Sequence, residues 1–353
     1  MKKRIIKIIF LITGSVFCFA GGDRESGGPD NGGPKSKRTS QQSIMVTDAK
    51  GVEVTINLPV KRIVSINSGL SEIIAALGAV DRTVGRDSYS TFPTAMRKIY
   101  AVASNSSNPN MEKIFQLQPD LVLADAMFDE RHRRMLNRRG IPVLIESTST
   151  PSHLPDLVRT LGFIVEEEKR AQEILNISEL YINRVTEKVA AAQTAGAPVP
   201  AVFFENRKVY KSASKLSGHH EFIELAGGEN IAKDEPVTSP ELSPEYIVQR
   251  DPNVIVRRVS GDAGTDALKK LLETIYNRPS LKSVTAVQNQ NVHIIKSDLF
   301  ISLRYPVGVA YFAKWFYPGA LSDLNIDEIH EGLITELYGA DEWKQVHELY
   351  VYP

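Results

Sequence analysis

The chain has 353 residues, enough for one large core or two ordinary ones, and its 42% apolar and 24% charged content is that of a globular protein. Its 42 basic residues balance 42 acidic ones, so a bulk electrostatic partnership with nucleic acid is excluded. The one cysteine, Cys18, excludes an internal disulfide framework.

Residues 1–20 open with a basic "MKKR", continue through the mostly apolar "IIKIIFLITGSVF" and end in "CFA". This is the grammar of a secretory signal peptide, too short and too poorly flanked for a permanent span. Cleavage after Ala20 would release the mature chain. The alternative is lipidation of Cys18 after cleavage in front of it, against which the bulky Phe17 argues. Residues 21–42, rich in Gly, Pro, Ser and charge, read as a flexible linker. The expected location is outside the cytoplasm, in the periplasm or on the outer face of the cytoplasmic membrane. No later stretch is long and apolar enough to cross a bilayer.

"IMVTDAKGVEVTI" predicts a β-hairpin. "RIVSIN" then predicts a strand, and "SINSGLSEIIAALGA" the helix after it, with Leu70, Ile73, Ile74 and Leu77 on one face and Glu72 about opposite. An acid in the first turn complements the helix dipole, and that alone can explain Glu72. Short β-rich runs and helices alternate on to "IPVLIES", which predicts a mostly parallel sheet covered on both sides. From 166 to 195 helical spacing runs unbroken, with Gly196 and Pro198 as stop signals. The alternation then restarts with "PAVFFEN", "PNVIVRR" and "NVHIIK" as strands. The expected fold is α/β: an N-terminal α/β lobe over 43–165, a connecting helix over 166–195 and a C-terminal α/β lobe over 196–353, with a ligand cleft between the lobes.

In open parallel sheets ligands bind beyond the carboxyl ends of the strands. The residues expected there are Asn67 and Ser68, Arg86 to Tyr89, Asp125, Glu205 to Tyr210, and Arg257 with Arg258; Arg304 and Tyr305, before the last expected helix, can reach the same place. The doublet His219–His220 reads as a helix start, because adjacent side chains diverge and seldom form one metal site. One of them as an axial ligand to haem iron is the alternative. No metal cluster is expected. No G-x-S-x-G, H-E-x-x-H, Walker lysine loop or G-x-G-x-x-G after a strand is present, and no cysteine lies in the folded body to hold an iron–sulfur cluster, so an enzyme is not expected.

"VKRIVSINSGLSEIIAALGAVDRTVGRDSY", "NPNMEKIFQLQPDLVLAD", "FIELAGGENIA", "LSPEYIVQRDPNVIV" and "RPSLKSVTAVQNQNVHII" occur in that order, within a region from about Ile44 to the C-terminus. Together they resemble the substrate-binding proteins of ABC importers for iron–siderophore complexes, haem and cobalamin, in which one rigid helix joins two α/β lobes. Leu281 stands where relatives often carry tryptophan, and Asn67–Gly69 replaces a familiar "SPS". The resemblance implies no intrinsic cofactor and a transported metal complex: an iron chelate, haem or a corrinoid. It also implies a permease partner with its ATPase, and a monomer. Arginine forks and aromatic faces suit such ligands, which points to Tyr89, Tyr210, Arg257, Arg304 and Tyr305. It further implies Glu72 and Glu245, each at a helix start, as permease-docking residues. An exported adhesion or interaction protein that keeps the fold without transport is the second expectation.

Overall fold

The structure, a computed structural model, describes residues 7–9, 42–261, 264–346 and 350–353. The leader and linker expected over 1–42, with Cys18, lie outside the described residues apart from 7–9 and Gln42.

Strands β1 (Lys7–Ile9), β2 (Gln42–Thr47) and β3 (Glu53–Leu58) form an antiparallel sheet in that order. The β2–β3 turn is closed by the Asp48 carboxylate, which accepts the N–H groups of Lys50 and Val52 at 2.9 Å each, with Gly51 at φ 77°. The first lobe follows as β4 (Ile63–Ser65), α1 (Ser68–Ala76), β5 (Thr83–Asp87), β6 (Ala101–Ala103), α2 (Met111–Gln116), β7 (Leu121–Ala124), α3 (Glu130–Asn137), β8 (Val143–Ile145) and α4 (Leu154–Ile164). Its five strands are parallel in the order β6-β5-β4-β7-β8. Along β7, Leu121 and Leu123 face the central core while Val122 and Ala124 face a second cluster under α2 and α3. That is period-two alternation with both faces buried.

Helix α5 (Glu168–Thr194) then runs 27 residues without glycine or proline. The second lobe comprises β9 (Ala201–Asn206), α6 (Gly218–Leu225), β10 (Glu229–Asn230), α7 (Pro244–Arg250), β11 (Val254–Val259), α8 (Thr265–Tyr276), α9 (Thr285–Gln288) and β12 (Val292–Lys296). Helices α10 (Tyr305–Phe316), α11 (Ile326–Tyr338) and α12 (Ala340–Trp343) precede β13 (Val351–Tyr352). The second sheet has the order β10-β9-β11-β12-β13, parallel except for β13. Two α/β lobes with mostly parallel sheets are therefore present as expected.

Leaving β12, the chain crosses to the first lobe: the Ser302 N–H donates to the Thr148 carbonyl at 2.8 Å, and α11 packs on α5 and α1. The Arg170 guanidinium on α5 bonds the carbonyls of Ala76, Glu336 and Leu337, and Glu342 of α12 accepts the Thr94 N–H at 2.8 Å. The chain then returns to pair β13 with β12. One central core runs through both lobes, the buried face of α5 (Ala171, Ile174, Tyr181, Val185, Val189) included.

Candidate ligand-binding site

The carboxyl ends of both sheets converge on the crossing segment 146–153 and on residues 297–304. Ser152 donates to Glu221 of α6 through its N–H (2.8 Å) and its hydroxyl (2.7 Å). Gly218 opens α6 so close to this segment that an added Cβ would strike the Ser149 carbonyl and Thr150. The floor between the lobes is thus a backbone contact that only glycine permits. A surface recess of about 650 Å³ lies away from this floor, against Leu58, Pro59, Lys61, Phe115 and Arg139 to Pro142, at the amino ends of the first sheet's strands.

On the first-lobe side, Asn67 caps α1 through its Oδ1 and donates its amide to Asp125 at 2.9 Å. The Asp87 carboxylate accepts the N–H groups of Tyr89 (3.1 Å) and Ser90 (2.7 Å), and burial holds its pKa above the usual value. These acids are occupied in shaping their own loops. Tyr89 stands 65% exposed beyond β5, and Met127, Val209 and Leu216 are exposed beyond β7, beyond β9 and before α6. The mouth of the cleft is accordingly apolar on both lobes.

Of the residues expected to hold ligand, Tyr89 alone stands free at this mouth. Arg257 is buried and shares the Glu205 carboxylate with Arg278, at 2.9 Å and 2.5 Å. The Tyr210 hydroxyl is held by Ser280 at 2.9 Å, and its N–H donates to Glu205. Tyr305 packs against the central core, and burial pushes its phenol up to about 12. Arg304 is buried and forks onto Glu72 at 2.6 and 3.2 Å, with Phe92 and Tyr350 against its guanidinium. In this structure the two side chains, expected at a ligand and at a permease, are 4% and 1% exposed and face each other. Burial pushes the Glu72 carboxyl up to about 7 against the opposing pull of Arg304. The face of α1 opposite Leu70 and Ile73 is covered by α11 and the 302–304 turn, which the sequence pattern of α1 could not reveal. Glu245, by contrast, is exposed in the first turn of α7, behind the capping Ser243.

The residues missed as principal candidates are Arg258 and His219. Arg258 is 8% exposed, donates to the Asn206 Oδ1 at 3.1 Å and leaves its Nε enclosed without a partner. Burial, aided by Arg207, pulls its pKa down to about 10. His219, also 8% exposed, stacks on Phe204 with ring centres 5.4 Å apart and lies 5.6 Å from Phe300. Its Nδ1 meets the Ser217 hydroxyl at 3.0 Å, while its Nε2 has no partner. Burial first, then Arg258 and Arg207, hold its pKa well below 6.5, so the ring is neutral. His220 instead bonds Asn230 (3.2 Å) and meets Glu224 (3.2 Å), a structural placement. Among the described residues no cluster of three or more histidines, cysteines or acids could hold a metal ion.

The family model described as periplasmic binding protein matches residues 63–299. An uncharacterized ABC transporter substrate-binding lipoprotein of Bacillus subtilis (strain 168) is 26% identical over 296 residues, which is 81% of this chain and 90% of that protein. A vitamin B12-binding protein of Yersinia pestis (strain Pestoides F) is 29% identical over 208 residues, 57% of this chain and 70% of that protein. A periplasmic heme binding protein from Pseudomonas aeruginosa superimposes with a TM-score of 0.65 at 24% identity, covering 74% of this chain and 94% of that one. The matched segment includes the parallel strands of both sheets and α5, and the chain belongs to the periplasmic binding protein family of ABC transporter substrate-binding proteins.

Proposed function

We propose that this chain captures a metal complex of the siderophore, haem or corrinoid kind outside the cytoplasm and delivers it to an ABC permease. The observation that carries the reading is the cleft itself. Two parallel sheets direct their carboxyl ends at one floor, with apolar lips and unsatisfied polar groups beneath them. Relatives named for vitamin B12 and heme binding support that range of ligands. The N-terminal 20 residues act as an export signal, ending either in cleavage after Ala20 or in acylation of Cys18. In this reading Glu245 is the second lobe's docking acid. Glu72, buried against Arg304, is left out of it.

The test uses protein secreted by a bacterial host. Its mass should correspond to a chain starting at Gly21 or at an acylated Cys18. Titration with hemin, a ferric tris-catecholate siderophore and cyanocobalamin should quench Trp315 or Trp343 fluorescence for at least one of them, at micromolar concentration or below. Retention of Met1 would overturn export. Absence of any response, confirmed by equilibrium dialysis, would overturn metal-complex capture.

A further inference from the structure

Many exposed cations of this chain have an acid beside them, as Arg184 has Glu328, Lys188 has Asp323 and Lys215 has Asp234. One face of the first lobe differs. Lys61 and Arg62 stand exposed before β4, Arg138 and Arg139 between α3 and β8, and Arg134 one turn earlier on α3. None of the five makes an ion pair among the described residues. The recess of about 650 Å³ at the amino ends of the strands is lined by both Lys61 and Arg139. The Arg139 guanidinium is steadied 3.8 Å over the Phe115 ring, and that of Arg62 donates twice to the Leu117 carbonyl, at 3.0 and 2.7 Å. Asp120 also lines the recess, but its Oδ2 accepts the backbone N–H groups of Lys61 and Arg62 at 2.8 and 2.9 Å, so it holds the turn instead of pairing a side chain. Met135, 43% exposed, lies three and four residues before Arg138 and Arg139, an apolar side chain among cations. The path of the chain is a second and independent observation. Gln42, the first residue of β2, pairs with Leu58, and Leu58 lines the recess. The segment that leads from the leader therefore joins the body at this same face, and it carries Lys35, Lys37 and Arg38.

We propose that this face is a membrane-contact surface, and that its partner is the anionic phospholipid surface of the bilayer beside which the exported chain works. Lipid phosphates enter the recess between Lys61 and Arg139, where a guanidinium fork and an ammonium give charge-assisted hydrogen bonds. Arg62, Arg134 and Arg138 add attraction over a wider area, and Met135 rests among the headgroups. Each cation contributes little alone, so the contact is weak, reversible and screened by salt. It goes beyond the proposed function and is independent of the ligand, sharing with that reading only the export of the chain. The geometry suits the task. The recess lies at the amino ends of the first sheet's strands and the cleft floor at their carboxyl ends, so a body resting on this face keeps its cleft uncovered. A neutral chain with its unpaired cations gathered on one face is held at the bilayer in one orientation instead of clinging from all sides.

The test is co-sedimentation with vesicles, using the exported chain carrying Cys18→Ser so that no acyl group can hold it to lipid. Vesicles of phosphatidylcholine with about 30% phosphatidylglycerol should retain the protein, pure phosphatidylcholine should not, and retention should fall at least tenfold between about 50 and 500 mM salt. The combined Lys61→Glu, Arg138→Glu, Arg139→Glu variant should lose at least tenfold in vesicle affinity at an unchanged melting temperature. Lys269→Glu, Lys270→Glu, Lys282→Glu makes the same charge change at exposed positions of the second lobe and should keep most of the binding. Lys61→Gln with Arg138→Gln, a milder change, should give a severalfold loss and keeps the result readable if the charge reversal impairs folding. Equal losses in the two charge-reversed variants would show net charge alone at work and overturn the proposal. So would unchanged binding in the milder variant, or equal retention by both kinds of vesicle. Binding abolished by Lys35→Gln, Lys37→Gln, Arg38→Gln but not by the face variants would place the contact in the linker and overturn the face. Release from vesicles by millimolar inorganic phosphate at constant ionic strength would show a soluble-anion site and overturn the bilayer as partner. None of these outcomes touches ligand capture or export, which the ligand titrations and the mass of the secreted chain test separately.

Discussion

Glu72 and Arg304 lie 232 positions apart and meet as a forked, fully buried pair. Such a pair gains little over an apolar substitute, yet losing one partner strands a charge in the core. Glu72→Ala and Arg304→Ala should each destabilise by about 3–5 kcal/mol, and the double variant should cost clearly less than their sum. Denaturant unfolding of the four proteins checks this, and strict additivity would show that the two side chains do not interact. Glu245→Ala is the contrasting case. On an exposed first turn it should change stability by less than about 0.5 kcal/mol and leave ligand affinity intact, while lowering uptake or ATPase stimulation with the cognate permease. Unchanged transport would remove Glu245 from docking. The contrast also marks what was legible. An acid one turn into an amphipathic helix looks exposed from its own helix, and nothing local to α1 announces the segment that covers it. The Arg257–Arg258 doublet is similar: strand alternation sends the two to opposite faces. Arg257 shares the outer face with Ile255 and meets Glu205, and Arg258 continues the Val254–Val256 face toward the central core. The alternation was readable; which face meets the cleft was not.

At the scale of elements, those the sequence made plain were the ones with their own punctuation. The hairpin is closed by Asp48 and Gly51, α7 opens on a capping Ser243 and Pro244, and the parallel strands β7 and β8 are continuous apolar runs. The C-terminal elements α11 and α12 were not anticipated, because their role is to cover rather than to continue the β–α alternation. They form a lid over α1 whose packing includes His330, with ring centres 5.2 Å from both Trp343 and Tyr350. Burial, and secondarily Arg304, lowers the His330 pKa to about 3. A histidine depressed in this way binds fewer protons folded than unfolded. Its contribution to stability is therefore intact above the unfolded pKa near 6.5 and is lost as pH falls toward 3. Acidification from pH 7 to pH 4 should lower the melting temperature. His330→Phe, which keeps the aromatic contacts and removes the titration, should show a shallower decline. Parallel pH profiles for the two proteins would show that the imidazole does not titrate on unfolding.

At the scale of the molecule, the question is how far the lobes can move. A helix bends sharply only at proline, at glycine pairs or at inserted bulges, and α5 contains no proline or glycine in 27 residues. Two further bridges cross the lobes. The 302–304 turn brings Ser302 to Thr148 and Arg304 to Glu72, and α11 and α12 tie α5 to α1 and to Thr94 through Arg170 and Glu342. A single apolar core passes beneath all three, and a close-packed interior resists continuous deformation. Ligand capture should therefore proceed by side-chain and loop adjustment at the cleft floor, around Arg258, His219 and the 146–153 segment, with a small hinge at most. Small-angle scattering with and without a bound metal complex should give radii of gyration that agree within about 0.5 Å, close to the rigid-interface limit. Backbone hydrogen exchange should slow at residues 146–153 and at the start of α6 while α5 stays protected in both states. A compaction of several ångströms, or loss of α5 protection without ligand, would show that the three bridges open together and that the lobes close as separate bodies.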